Sequence, residues 1–232
     1  MTPAQLRDLF RSDVRDEVAP YLWSDPEVYS YMDDAQKMLC RESGGIADST
    51  SSICVVPVRA GDTYLVFDPR ILKLRDVRRM SDGRNVRVLN FADLGHPNTV
   101  PDDYGQYANL DIGGAKFSTV PAPITGIITG MDGDQFRLSA PALEDDELRL
   151  IVYRLPIYDV SANSTELEVD SYHHRHLLSW MKHLAHEKQD AETYDRGRSS
   201  EFRSQFLAYC DQVKAERERR EHKHRTVVYG GI

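Results

Sequence analysis

The chain has 232 residues, a formal net charge of −8, and 41% hydrophobic against 28% charged side chains, which suits a soluble protein with one large or two small domains. No apolar run reaches membrane-spanning length, the acid-rich amphipathic N-terminus does not read as a signal peptide, and so acidic a chain does not grip DNA over its whole surface. Three widely spaced cysteines, Cys40, Cys54 and Cys210, supply neither a disulfide nor a zinc framework; Cys40 and Cys210 border apolar helix stripes and are expected to be buried in a reducing cytosol.

Thr2-Pro3-Ala4-Gln5 is a capping box with proline at the first helical position. It predicts a helix with Leu6, Leu9, Phe10 and Val14 inward, ending near Pro20. An aromatic elbow, Pro20-Tyr21-Leu22-Trp23, leads to a second start signal, Ser24 with Glu27 three residues on and Pro26 in the first turn. Val28, Met32, Ala35 and Leu39 then form one stripe, and Gly44-Gly45 stops the helix. From Ile53 the apolar period becomes two. Hairpins are predicted around Ala60-Gly61-Asp62, Asp82-Gly83 and Asp132-Gly133-Asp134, with a long loop from about Gly95 to Gly114. Leu148 to Leu155, apolar on both faces, reads as a central strand. Helices return over Val169 to about Lys188 and again after a cap at Ser199 or Ser200, where Phe202, Phe206, Tyr209 and Val213 repeat the stripe. The last turns, Lys214 to Arg225, are charged all round and are expected to project or to be covered by a neighbour.

Neither helix pair buries its stripe alone. The expected fold is therefore α+β: a four-helix bundle made by the N- and C-terminal helices, an inserted antiparallel β domain and an extended C-terminal arm. The expected divisions are 1–48 and 156–222 for the two helix pairs, 49–155 for the β domain and 223–232 for the arm.

Enzyme signals are missing: no G-x-S-x-G, no P-loop and no dinucleotide fingerprint occurs, and no cofactor or catalytic residue is implied. Glu144-Asp145-Asp146-Glu147 reads as a solvated loop. His183, His186 and Glu187, near His173, His174 and His176, are close enough on a helix for two or three metal ligands, but the H-E-x-x-H spacing is absent. A polar helix face is the better reading, and no metal site is assigned. Arg70, Lys73, Arg75, Arg78, Arg79, Arg84 and Arg87 stand against only Asp76 and Asp82 in one predicted hairpin. That net +5 reads either as edge protection or as a docking surface for an acidic partner or DNA phosphates. Residues 1–48 carry net −5, while Lys214 to Ile232 hold six basic and three acidic residues, so pairing of the two ends between subunits is expected.

The stretch Asp13 to Ser43 carries a resemblance. A leading amphipathic helix, the D-x-x-x-x-Y-L-W-S-D elbow from Asp16 to Asp25, and a tyrosine- and alanine-bearing second helix resemble the N-terminus of the head-to-tail adaptor proteins of tailed bacteriophages. The likeness extends more loosely to Phe202 to Arg220 and the tail R-T-V-V-Y-G-G. It implies a structural virion protein at the head–tail interface, present in the host cytoplasm during assembly. Such a protein forms a homo-oligomeric ring, commonly a dodecamer, below the portal, receives the tail nozzle and other tail proteins, and lets double-stranded DNA through. It further implies a portal-binding arm at Thr226, Val227, Val228, Tyr229, Gly230, Gly231 and Ile232. The alternatives are another soluble assembly or interaction protein, or a helix-bundle metalloenzyme using His183, His186 and Glu187.

Overall fold

The computed structural model describes residues 1–92, 111–112, 115–116, 118–132, 135–189 and 193–221. The chain divides into two units, residues 1–45 with 156–232, and residues 46–155.

In the first unit, α1 (Pro3–Val14) opens on the expected box: Gln5 N–H donates to Thr2 Oγ1 at 3.2 Å, and Thr2 N–H to Gln5 Oε1 at 2.9 Å. It stops well short of Pro20, because Arg15 turns left-handed (φ 59°) and Asp16 N–H closes back on the Arg11 carbonyl. α2 (Asp25–Ser43) starts where Glu27 Oε2 accepts the Ser24 N–H at 2.8 Å, and Gly44 ends it at φ 92°, a conformation that favours glycine. After a 3-10 turn over Ser171–His173 come α3 (His174–Glu187) and α4 (Arg196–Glu221). α4 begins earlier than predicted. Asp195 Oδ1, not a serine, accepts the Arg198 N–H at 3.0 Å, and Ser199 is buried inside the first turn. α3 is the hub: α2 and α4 pack along it, and α1 lies against α2 and α3. Leu6 and Phe10, Met32 and Leu39, Leu177 and Met181, and Phe206 close their core. The charged end of α4 does not simply project, since Arg217 Nη2 donates to the Gly45 carbonyl at 2.6 Å.

The second unit is built on an eight-stranded sheet. Its strands are β1 (Ile46–Asp48), β2 (Val55–Val58), β3 (Tyr64–Val66), β4 (Ile71–Arg79), β5 (Asn85–Asn90), β8 (Gly126–Asp132), β9 (Gln135–Leu138) and β10 (Asp146–Arg154). Between β5 and β8, β6 (Asp111–Ile112) and β7 (Ala115–Lys116) form a separate two-stranded sheet. The main order is β1-β10-β4-β5-β8-β9-β3, with β2 also paired to β10. β10 is thus central, flanked by β4 on one side and by β1 and β2 in succession on the other. Leu148, Leu150 and Val152 of β10 are 0% exposed and meet Val77, Val86, Ile127 and Leu138 in the core.

This architecture corrects the expected one. The helices do not make a four-helix bundle: α1 has 12 residues against 26 in α4 and packs on α2 and α3, and a large β region splits the helices in sequence. Nor is the sheet antiparallel throughout, because β5 and β8 run parallel, from Arg87 opposite Gly126 to Asn90 opposite Thr129. The long connection from Asn90 to Gly126 supplies the crossover that parallel strands need. The Ala60-Gly61-Asp62 hairpin also fails, since β2 pairs with β10 and β3 with β9. The extended arm, residues 223–232, lies outside the described residues.

Candidate functional site

The elbow is organised by one buried cation. Arg11 Nη1 meets Asp16 Oδ2 at 2.7 Å with side chains 7% and 2% exposed, and Nη2 donates to the Trp23 carbonyl at 3.0 Å and to Asp25 Oδ1. Asp16 in turn accepts the N–H groups of Leu22 at 2.8 Å and Trp23 at 3.4 Å. Its two oxygens thereby shape the turn while neutralising the guanidinium. The hydrogen bond from Arg11, with help from Arg7, holds the Asp25 carboxyl below its usual range. Both aspartates of the D-x-x-x-x-Y-L-W-S-D stretch therefore serve the same arginine, a role the sequence does not announce because Arg11 lies outside the motif. Trp23 is locked from the other side, with Nε1 donating to the Ala185 carbonyl at 3.2 Å. What the elbow presents outward is apolar: Val18 is 81%, Tyr21 47% and Leu22 41% exposed, with Arg11 stacked 3.8 Å below the Tyr21 ring.

The acidic N-terminal helices do not offer a free acidic surface. Asp13 pairs with Lys182, Glu27 with Lys188 at 2.7 Å, Asp33 with Lys37 at 2.6 Å, and Asp34 accepts the Trp180 Nε1–H at 2.7 Å. The Lys188 ammonium is the main reason the Glu27 carboxyl falls to about 2. The carboxylates expected to reach a neighbouring subunit are largely spent within the chain.

The histidines do not converge. His183 Nδ1 sits 2.8 Å from Ser199 Oγ, with Nε2 3.7 Å from Glu187, whereas His186 Nδ1 faces the Thr193 carbonyl at 3.3 Å and its ring stacks on Phe202. His173 Nδ1 lies 2.8 Å from Tyr209 Oη, and His176 stacks on the Tyr209 ring at 3.5 Å. They knit α3 to α4. Burial pushes the imidazoles of His173, His176 and His183 below their ordinary pKa. Among the described residues no group of three His, Cys, Asp or Glu side chains could hold a metal. A cleft of about 360 Å³ opens beside Arg15, Lys182, His186 and Arg198, but Lys182 is paired with Asp13 and Arg198 with Asp195.

The basic hairpin forms, with Val77 opposite Val86 and Arg78 opposite Asn85, but its seven cations separate into two groups. Arg70 is held by Asp68 through Nε at 2.8 Å and Nη2 at 2.7 Å; Arg79 is held by Asp82, with Asp146 at 3.7 Å; Arg84 lies 3.4 Å from Asp82. The Arg79 hydrogen bond keeps the Asp82 carboxyl at about 2. Lys73, Arg75, Arg78 and Arg87 stay exposed along β4 and β5. Arg75 reaches the Tyr153 hydroxyl at 3.5 Å, and Arg78 has only a 3.8 Å approach to Asp76. The structure adds one residue that sequence reasoning missed: Arg149 of β10 stands directly opposite Arg78. The portal-binding arm, Thr226 to Ile232, lies outside the described residues.

The family model for the SU10 adaptor protein matches residues 1–228 of the chain. No individual curated protein matches it.

Proposed function

The chain belongs to the SU10 adaptor protein family, and from that premise we propose a structural, non-enzymatic role at the head–tail junction of a tailed phage. Copies of the chain form a ring below the portal, a dodecamer by the family resemblance, which joins capsid to tail proteins and lets double-stranded DNA pass. The observation that carries this reading is the elbow. A buried ion pair and three hydrogen-bonded backbone groups are invested in an elbow that leaves Val18, Tyr21 and Leu22 out in water, a costly arrangement for a lone subunit and a natural one for a surface met by a partner. The net acidic balance of the chain also suits a passage through which phosphates slide. The arm, Thr226 to Ile232, takes the portal contact: its β-prone residues find backbone partners on an edge or groove of that protein.

Imaging and mass measurement of the purified full chain, alone and mixed with portal rings, tests the proposal. Rings that add mass to the portal are expected. A chain that stays monomeric at every concentration and never joins the portal overturns the reading. Deleting residues 226–232 should leave the melting temperature unchanged and abolish joining to portal-bearing heads; normal joining by the truncated chain would remove the arm from the proposal.

A further inference from the structure

We propose that the outward face of β4 and β10 is a contact surface for the phosphodiester backbone of double-stranded DNA, centred on the Arg78–Arg149 pair with Lys73 and Arg75 beside it. Core residues Leu148, Leu150 and Val152 fill one face of β10, so alternation puts Arg149 on the other, directly across from Arg78. Two like charges opposed on neighbouring strands destabilise a sheet, and fold stability gives no reason to keep them there. The Arg149 Nε is buried and makes no hydrogen bond among the described residues, so no interaction of that nitrogen within the fold accounts for the arginine. An irregularity in register extends the patch. Asp76 faces Ile151 while Leu74 faces Val152, so Arg75 is an extra residue, and the bulge returns Lys73, opposite Tyr153, to the side of Arg78. Without the bulge, Lys73 and Arg78, five positions apart, would point to opposite faces. Lys73, Arg75, Arg78 and Arg149 then stand against Asp76 and Glu147 on this face.

The choice of occupant follows from what the face offers. β10 has neighbours on both sides and β4 is paired to β5 at Val77 and Arg78, so at the Arg78–Arg149 centre no backbone edge is free for an acidic peptide to add as a strand. The only aromatic ring on the patch, Tyr153, is 6% exposed, so there is no stacking platform for the bases of a single strand. What remains is a row of three guanidinium forks, which match phosphate oxygens bidentately, and one ammonium, which meets them as a point charge. Along a strand, side chains on one face recur every ~6.6 Å, close to two charge steps of a duplex strand at about 3.4 Å each. The contact is small, so it is weak and strongly salt-dependent, compatible with DNA that must move.

The inference does not depend on ring formation or on the portal, and its test uses the full chain in solution. Fluorescence anisotropy of a labelled short duplex is measured across a salt series for the wild type, R78Q/R149Q and R78K/R149K, with melting temperatures confirming that each folds. About four phosphate contacts predict a slope of log K against log salt of roughly −3 to −4, hence about a hundredfold loss between 50 and 200 mM. R78Q/R149Q should bind about tenfold more weakly or worse and flatten the slope by about two. R78K/R149K should keep the slope while losing part of the affinity. No binding at low salt, or an unchanged slope in R78Q/R149Q, overturns the proposal. So does a polyglutamate peptide that binds the wild type as tightly as the duplex and loses binding in R78Q/R149Q, because the face then serves an acidic protein segment.

Discussion

Charge is used in opposite ways in the two units. In the helical unit, Arg11 is enclosed by Asp16 and Asp25, and Lys182, Lys188 and Lys37 are each matched to a carboxylate on α1 or α2. In the sheet unit, Arg70 and Arg79 are matched in the same manner, but Arg78 and Arg149 face each other, and Arg78 has only a 3.8 Å approach to Asp76. Net charge over a segment is therefore a poor guide to the field that segment presents. Residues 1–48 are net −5 in sequence, yet much of that acid is an internal fastening, while a few cations in a nearly neutral domain give one face an excess of positive charge.

The comparison breaks most visibly at Arg11. Its removal leaves Asp16, with a side chain 2% exposed, as an uncompensated buried charge. Arg11→Ala should cost about 3–5 kcal/mol in denaturant unfolding. A loss below about 1 kcal/mol, the level of an exposed pair, would mean that the elbow is not fastened as described. Met32→Ala tests the apolar packing of α2 in the same unit. Met32 is 0% exposed, so a loss of about 2–5 kcal/mol is expected.

Much of the helical half was legible because its signals are local. Thr2 with Gln5, Ser24 with Glu27, and the stripe Val28, Met32, Ala35, Leu39 each lie within a few turns of chain, and each is realised. The Asp82-Gly83 turn is equally local, and β4 pairs with β5 across it. What the sequence could not show depends on partners far along the chain. Ala60-Gly61-Asp62 looks like a hairpin turn, but Gly61 N–H donates to the Ala142 carbonyl at 2.8 Å, and Asp62 accepts through its carbonyl from Ala142 N–H at 3.0 Å. The turn is pinned by a distant loop, and its flanking strands go elsewhere. Arg149 was missed for the same reason: its neighbour Arg78 is remote in sequence, and only strand pairing brings them together. The premature end of α1 rests on Arg15, a residue with no intrinsic bias toward left-handed backbone, made to turn so that Asp16 can reach Arg11.

A smaller effect separates the units by pH. Burial lowers the folded-state pKa of His173, His176 and His183 on α3. The unfolded chain then binds protons at these sites while the folded one does not, so stability is complete above about pH 6.5 and declines as pH falls below it. Glu27, lowered to about 2 chiefly by Lys188, adds a second decline that starts below the ordinary glutamate value and is complete near pH 2. Substituting His173, His176 and His183 by Gln should remove the first decline in the melting temperature and leave the second. If the triple variant retains the first decline, the imidazoles are not its source.

The smallest expected effect carries the sharpest contrast, because its sign differs. Arg78 lies opposite Arg149, is 58% exposed and has only a 3.8 Å approach to Asp76. Truncating it to a residue that suits a strand removes the like-charge opposition and forfeits an exposed ion pair worth about 0–1 kcal/mol at most. Arg78→Thr should therefore leave stability unchanged or raise it by about 0.2–1 kcal/mol, with the gain shrinking as salt screens the repulsion. Arg149→Thr should behave alike, and the double variant should gain less than the two singles added, since either one relieves the same repulsion. A stability loss from Arg78→Thr at low salt would show that the arginine is part of the fold's own fastening, as Arg11 is, and the difference between the two units would disappear.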